Sequence, residues 1–320
     1  MILRRTTTLR IVFVALFSLF FYYESSGEYV LILLFSATMD YLIGRAMEAT
    51  DDPSRRKYLV WTSILVNLSL LSYFKYFYFL LDLLQMALAS LGLSSPLDVP
   101  LEARDYFIPA GISFYTFQTL SYTVDIYRGE IRPLRRWIDY LFYLSFFPQL
   151  VAGPIVRAKD FIPQIHRRPQ LLKAEYGEAL ALIISGLIKK AIIGDFIGAN
   201  LVDQVFAEPS RFTGLENLFA VYGYAMQIYC DFSGYSDMAI GIALLLGFHF
   251  PLNFNAPYSA ISITDFWRRW HISLSTWIRD YIYISLGGNR KGKVRQYFNL
   301  ILTMLLGGLW HGASLNFIAW

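Results

Sequence analysis

The sequence predicts an all-α membrane protein that crosses the bilayer several times. Three observations carry that expectation. The 320-residue chain is 56% hydrophobic with only 16% charged side chains, and its mean hydropathy is +0.42, whereas a soluble domain keeps more charge on its surface. Several stretches are long enough to cross a hydrocarbon core, which takes roughly 20 mostly apolar residues. Aromatic residues make up 18% of the chain, and many fall near the ends of those stretches, where amphipathic rings settle at the headgroup level.

Arg4, Arg5 and Arg10 precede the apolar run Ile11–Tyr23. No small-residue cleavage site follows, and another apolar stretch begins at once, so the run reads as a retained first membrane segment. Tyr29–Met47 holds one acid, Asp40, and one base, Arg45, while Tyr58–Leu81 holds only Lys75. The connecting loops alternate in charge. Glu24–Glu28 is acidic; Asp51–Lys57 is basic through Arg55, Arg56 and Lys57. The region of Asp98, Glu102 and Asp105 is acidic, and Arg128–Arg136 carries four arginines. By the positive-inside rule this predicts four crossings with the N-terminus in the cytoplasm. Ile138–Val156 would be the fifth, yet the next loop is basic too, with Arg157, Lys159, Arg167, Arg168 and Lys173. Pro148, Gly153 and Pro154 fit a re-entrant or broken element there; an ordinary span that departs from the charge rule fits as well.

The second half is interrupted by polar residues. Lys189 and Lys190 sit inside the apolar run Ala179–Ile197; a lysine pair at the bilayer centre is costly, so this helix is expected at an interface or beside a polar cavity. Gly214–Cys230 carries only Glu216, and Gln296–Trp320 carries no charged side chain. Between them, Asp231, Ser233, Ser236 and Asp237 form a polar cluster that either lines a substrate path or bonds helices together. Ser262–Ser285, rich in tryptophan and tyrosine, reads as a helix lying along the interface. Ser262 or Thr264 would cap it, and Asp265 would pair with Arg268 and Arg269. Gly287–Lys293 reads as a basic cytoplasmic turn. Residues 1–320 are expected to form a single membrane domain, and the apolar stretch still running at Trp320 reads as a truncated chain rather than an unusual ending.

Several function classes find no support. The net charge of +4 is scattered, with no basic stripe for nucleic acid. Cys230 is the only cysteine, which rules out an internal disulfide and a thiolate zinc site; no metal is expected. There is no HExxH, glycine-rich phosphate loop or GxSxG motif. Attention falls on the four histidines. His311, in GGLWHGAS, lies in an apolar stretch, and an ionisable residue inside a membrane is a functional candidate. Imidazole suits general-base work near neutral pH, and burial would favour its neutral form. Small neighbours, Gly307, Gly308, Gly312 and Ala313, leave room for a substrate or another backbone. A buried histidine bonded to a neighbouring helix fits equally well. His271 reads as a helix-surface histidine at the headgroups, His166 as solvated, and His249 as structural.

The run DFWRRWHISLSTWIRDYIYISLGGNR (Asp265–Arg290), followed by GGLWHGAS (Gly307–Ser314), resembles the membrane-bound O-acyltransferase (MBOAT) family. More narrowly it resembles the bacterial branch containing the alginate O-acetylation membrane protein. IPAGISFYTFQTLSYTVDIYRG (Ile108–Gly129), FFPQLVAGPIVR (Phe146–Arg157) and DFSGYSDMAIG (Asp231–Gly241) extend the likeness, which covers most of the chain from about Ser72 onward. The resemblance implies a ring or funnel of helices around a tunnel that meets both membrane faces, in a multi-pass protein of the bacterial inner membrane. It places the family's membrane histidine on His311 and its second polar position (His, Asn or Asp in different branches) on His271. His311 would take the proton of an acceptor hydroxyl as that hydroxyl attacks an acyl carbonyl. His271 would stand on the cytoplasmic approach, binding or orienting the donor. Trp310, Asp231, Ser233, Asp237, Trp270 and Arg268 are the accompanying candidates for the substrate path.

The co-substrate would be an activated acyl donor, acetyl-CoA or an acyl-carrier thioester, with no bound cofactor. The acceptor would be an exported polysaccharide or an extracytoplasmic relay enzyme. Implied partners are membrane lipid, polysaccharide-modification proteins and an acyl-carrier protein. D-alanyl transfer to teichoic acid is the nearest alternative chemistry. A transporter of lipid or glycan precursors is the alternative of another class, and a membrane scaffold for a periplasmic acyltransferase is a third.

Overall fold

The computed structural model describes residues 7–93, 107–150, 152–167 and 172–319, and among them no β-strand occurs. The expected topology markers Arg4, Arg5, Asp98, Glu102, Asp105 and Arg168 lie outside the described residues.

In chain order the helices are α1 (Thr7–Ser26), α2 (Val30–Glu48), α3 (Pro53–Leu71), α4 (Phe77–Ser90), α5 (Ile112–Arg128), α6 (Trp137–Ser145), α7 (Phe147–Leu150) and α8 (Ala158–Ile165). Then come α9 (Lys173–Leu187), α10 (Asp195–Ile197), α11 (Asp203–Ala207), α12 (Gly214–Leu245), α13 (Ile263–Arg269), α14 (Ile272–Ile278), α15 (Lys293–His311) and α16 (Leu315–Ala319). Wide π turns stand at Ser72–Tyr76, Ile188–Gly194, Gly198–Val202 and Arg279–Tyr283. Two helical stretches, Thr8–Glu48 and Pro53–Ser90, are long and apolar enough to cross a membrane. The chain divides into two compact units, one comprising Met1–Val14 and Phe146–Ser275, the other Ala15–Ser145 and Thr276–Trp320.

In the first unit, α9 and α12 pack antiparallel at very short range. A Cβ on Gly234 would stand 2.7 Å from the carbonyl oxygen of Gly186, and one on Gly241 would stand 2.7 Å from that of Ala179. Both contact points are seven residues apart on each helix, which is two helical turns, so one stripe of small residues lets the backbones touch. The close approach brings the charged groups of the two segments together. Lys189 donates to Asp237 at 2.6 Å, and Lys190 donates to Asp231 at 3.0 Å and to Asp195 at 2.6 Å. The lysine pair that looked costly is therefore neutralised by carboxylates. The same pairing lets the 32-residue α12 run on from the apolar stretch Gly214–Cys230 through the polar cluster. Its start is held by a capping box between Thr213 and Glu216.

The second unit is held by a polar knot on α2, α3 and α5. The fully buried Asp40 accepts from Ser63 at 2.6 Å and from Asn67 at 2.8 Å, and Asn67 accepts from Ser36 at 2.8 Å. Ser63 also meets Thr123 at 3.0 Å. Buried polar groups are tolerable when satisfied, and five side chains here satisfy one another.

The first of three interruptions bears out the broken reading of Ile138–Val156, and the other two correct the sequence reading. Ile138–Val156 is not one helix: α6 ends at Ser145, α7 is a single turn carrying Pro148, and non-helical backbone follows. A Cβ on Gly153 would stand 3.3 Å from both Pro148 O and Ala239 Cβ, so the break packs closely against α12. Ser262–Ser285 is not one helix either but α13, a break at Trp270 and His271, then α14 and a π turn. Finally, Gln296–Trp320 does not continue as a single helix. α15 stops at His311, because Gly312 takes up extended backbone (φ −164°, ψ 154°).

The glycine stripe gives a direct test. Gly234→Ala should lower stability by about 1–3 kcal/mol, the usual cost of forcing atoms into a packed contact. Gly214→Ala, which meets nothing within 4 Å, should be neutral or slightly stabilising. Thermal unfolding in detergent compares them.

Candidate active site

His311 stands at the C-terminal end of α15, solvent-accessible on one side. Its ring meets Trp310 edge-on at 4.8 Å and lies parallel to Phe317 at 6.3 Å. Trp310, 9% exposed, stacks on Phe117 at 5.6 Å, Phe117 on Trp277 at 4.1 Å, and Trp277 leans on Tyr281 at 4.9 Å. Two hydrogen bonds tie this ladder of rings, one between its middle rungs and one at its Tyr281 end. Trp277 Nε1 donates to Phe117 O at 3.0 Å, and Tyr281 donates its hydroxyl proton to Asp125 at 2.7 Å. Each aromatic contact adds roughly 0.5–1.5 kcal/mol beyond area burial, so Trp310 is a fixed support for His311.

The small residues behave differently from one another. Gly307 and Gly308 are buried, and a Cβ on Gly307 would touch Ile278 at 3.5 Å. A Cβ on Gly312 would run into the Phe317 ring, so that space belongs to the chain's own phenylalanine. On the other side of α15, the ammonium of Lys75 donates to the carbonyl of Trp310, and the hydroxyl of Tyr76 donates to that of Leu309 at 2.7 Å. The sequence marked Lys75 only as the one charge of its stretch and gave no sign of Tyr76; their meeting with α15 is a tertiary contact.

In the first unit, His271 is buried, 1% exposed, in contrast to the headgroup position expected of it. Its ring meets Phe232 edge-on at 4.6 Å and lies parallel to Phe254 at 6.3 Å. Its backbone is left-handed, φ 41°, which is the break between α13 and α14. Among non-glycine residues, Asn, Asp and His enter that region most readily. The break is stabilised by Asn253, a residue that nothing in the sequence singled out. Its backbone oxygen accepts from Ile272 N at 2.9 Å, its side-chain oxygen accepts from Ser273 Oγ at 2.8 Å, and its amide donates to Ser236 at 2.9 Å. Ser273 Oγ in turn accepts from Ile155 N at 2.9 Å.

Trp270 stacks on Phe266 at 5.5 Å and meets Phe254 edge-on at 5.1 Å. Ser262 caps α13, accepting from Asp265 N at 3.1 Å. Asp265 pairs with Arg269 at 3.0 Å, whereas Arg268 is exposed. The Arg269 guanidinium holds the Asp265 carboxyl below the usual carboxylate range. The pair's contribution is therefore complete above the ordinary carboxylate pKa and is lost as pH falls through the lowered one. Asp231 and Asp237 are engaged by the lysines described above, and Ser233 is buried inside α12. His249 bonds Glu175 at 3.0 Å and exchanges two bonds with Gln164 (2.8 and 3.0 Å), a structural role as expected. His166 is exposed. Among the described residues no group of three or more His, Cys, Asp or Glu side chains has the arrangement of a metal site.

Residues 130–320 match the model of the membrane-bound O-acyltransferase family. The chain belongs to that family. It is 44% identical over 306 residues to Probable alginate O-acetylase AlgI of Pseudomonas syringae pv. tomato, an alignment covering 95% of this chain and 57% of the relative. It is 36% identical to the peptidoglycan O-acetyltransferase of Helicobacter pylori (95% of this chain, 60% of the relative). It is 32% identical to the teichoic acid D-alanyltransferase of Bacillus subtilis (65% and 55%). The chain thus spans somewhat over half the length of these curated relatives. Membership of a membrane-bound family agrees with the two long apolar helical stretches, and the matched region contains both His271 and His311.

The left-handed backbone at His271 predicts an ordered series. His271→Asn should keep the α13–α14 break and lose mainly the ring contacts. His271→Val adds β-branched strain at positive φ and should cost about 1–2 kcal/mol more. Thermal midpoints of the two variants give the difference. For the charge pairs, Lys189→Met should cost about 3–5 kcal/mol by stranding Asp237, and the double variant Lys189→Met/Asp237→Leu should recover most of it.

Proposed function

We propose that the protein is an O-acyltransferase that moves an acyl group, acetyl by preference, from a thioester donor to a hydroxyl of an exported polysaccharide or to an extracytoplasmic relay enzyme. The observation that carries this reading is the position of His311. It is an exposed imidazole at the end of an apolar helix, backed by the buried Trp310, within a family defined by acyl transfer to oxygen. The neutral ring accepts the proton of the acceptor hydroxyl as the oxygen attacks the thioester carbonyl. The carbon–sulfur bond breaks, an ester forms, and the departing thiolate takes up the proton. Acetyl-CoA and an acyl-carrier thioester both meet the chemical need for a donor.

His271 belongs to the donor side in this reading. Its buried ring and the break it creates would shape the approach lined by Trp270, Arg268, Asp231, Ser233 and Asp237. The whole would form a single membrane domain, a ring or funnel of helices around a tunnel, in the bacterial inner membrane, with polysaccharide-modification proteins and, for a carrier-bound donor, an acyl-carrier protein as partners. Alginate and peptidoglycan O-acetylation named in the relatives favour acetyl transfer. The D-alanyltransferase relatives keep D-alanyl transfer to teichoic acid as the second reading.

Full-length protein carrying His311→Ala should fold with an unchanged thermal midpoint and lose about 10²–10⁴-fold in rate, the usual worth of a general base. The measurement is ester formed on the exported polymer. Normal ester content in that variant removes His311 from the mechanism.

A further inference from the structure

The helical stretch Pro53–Ser90 is interrupted by a single π turn at Ser72–Tyr76. Such a turn inserts an extra residue at a cost in hydrogen-bond geometry and is found mostly where function needs a side chain re-aimed. Here the turn delivers two neighbouring side chains, Lys75 and Tyr76, to two successive carbonyls. Lys75 donates to Trp310 O and reaches Ser113 Oγ at 3.4 Å; Tyr76 donates to Leu309 O at 2.7 Å. The Lys75 ammonium also lies over the Trp310 ring, 5.6 Å from its centre.

Those carbonyls belong to the last turn of α15, where the supply of main-chain donors ends as the chain becomes extended at Gly312. A cation suits the negative end of a helix. Yet one hydroxyl would satisfy a carbonyl without burying a charge in an apolar stretch, which is expensive. A charged prong and a neutral prong on adjacent carbonyls do more than satisfy them: they grip the final turn at two points, just where the helix stops. The residue at that stop is His311.

We propose that Lys75 is a positioning residue for His311. With Tyr76 it clamps the final turn of α15 against the π turn, so that the imidazole is held at one orientation on Trp310. The inference rests on His311 being the general base and adds the group that places it.

The test uses the full-length protein with His311→Ala, Lys75→Met, Lys75→Arg and Tyr76→Phe, each expressed in a host lacking its own copy. Ester on the exported polymer is measured at matched membrane levels. Histidine-labelled protein in lipid nanodiscs reports ring resonances, with the His311 signal identified by its loss in His311→Asn. Lys75→Met should cut ester formation about 10–100-fold, the scale of a small misplacement of a reacting group. It should shift the His311 resonance while leaving those of His166, His249 and His271 in place. Lys75→Arg should restore most of the activity, and Tyr76→Phe should fall between. Full ester content in Lys75→Met with an unmoved His311 signal overturns the proposal. So does a movement of all histidine signals together in both Lys75→Met and Tyr76→Phe, which would make the clamp a general structural cap. Retained activity in His311→Ala, with the Lys75→Met shift still present, instead overturns the general-base reading and leaves the clamp standing.

Discussion

The last turn of a helix leaves four carbonyls without a donor, and in an apolar surround each must find one within the protein. In this molecule basic side chains meet that demand repeatedly. Arg10 donates to Ile165 O and Arg167 O at the end of α8. Arg56 donates to Met47 O near the end of α2 and to Ile126 O in the last turn of α5. Lys75, with Tyr76, does the same for α15. Each cap places a positive charge where the helix dipole is negative, and each sets where one helix ends against another segment. His311, the candidate base, sits at one of these ends.

The same economy explains the two polar clusters. A carboxylate in an apolar region requires a counter-charge or a full set of donors. Asp231 and Asp237 receive lysines, while Asp40 receives hydroxyl and amide donors. Glycine makes the first solution feasible, because only a backbone contact such as Gly186 against Gly234 lets α9 approach α12 closely enough for short lysine–aspartate bonds. Packing distance and charge pairing are therefore one constraint in the first unit.

Sequence reasoning went far on composition and motif. Apolar runs marked α2, α3 and the α9 and α12 segments; Pro148 and Gly153 marked the broken stretch; Ser262 marked a cap; and the ordered motifs pointed to the family and to His271 and His311. It went wrong where local pattern and tertiary demand diverge. Ser262–Ser285 has the aromatic richness of one interfacial helix, but His271 adopts positive φ at a break held by Asn253, which lies in the loop before α13. Arg10 and Arg56, read from sequence only as topology markers, also cap helix ends, a use that depends on carbonyls over a hundred residues away for Arg10 and about seventy for Arg56.

What the sequence by itself determined is the solvent of this protein, its helical character and the identity of its reactive candidates. Hydropathy, residue type and motif order are local properties of the chain. What only the tertiary structure decided is where helices stop and which charges meet. The contacts at the end of α15, the packing of His271 against Phe232 and the pairing of Lys189 with Asp237 and of Lys190 with Asp231 all join residues well separated in sequence. No local pattern encodes the partner of an unsatisfied carbonyl or carboxylate; the fold supplies it by bringing a donor within about 3 Å.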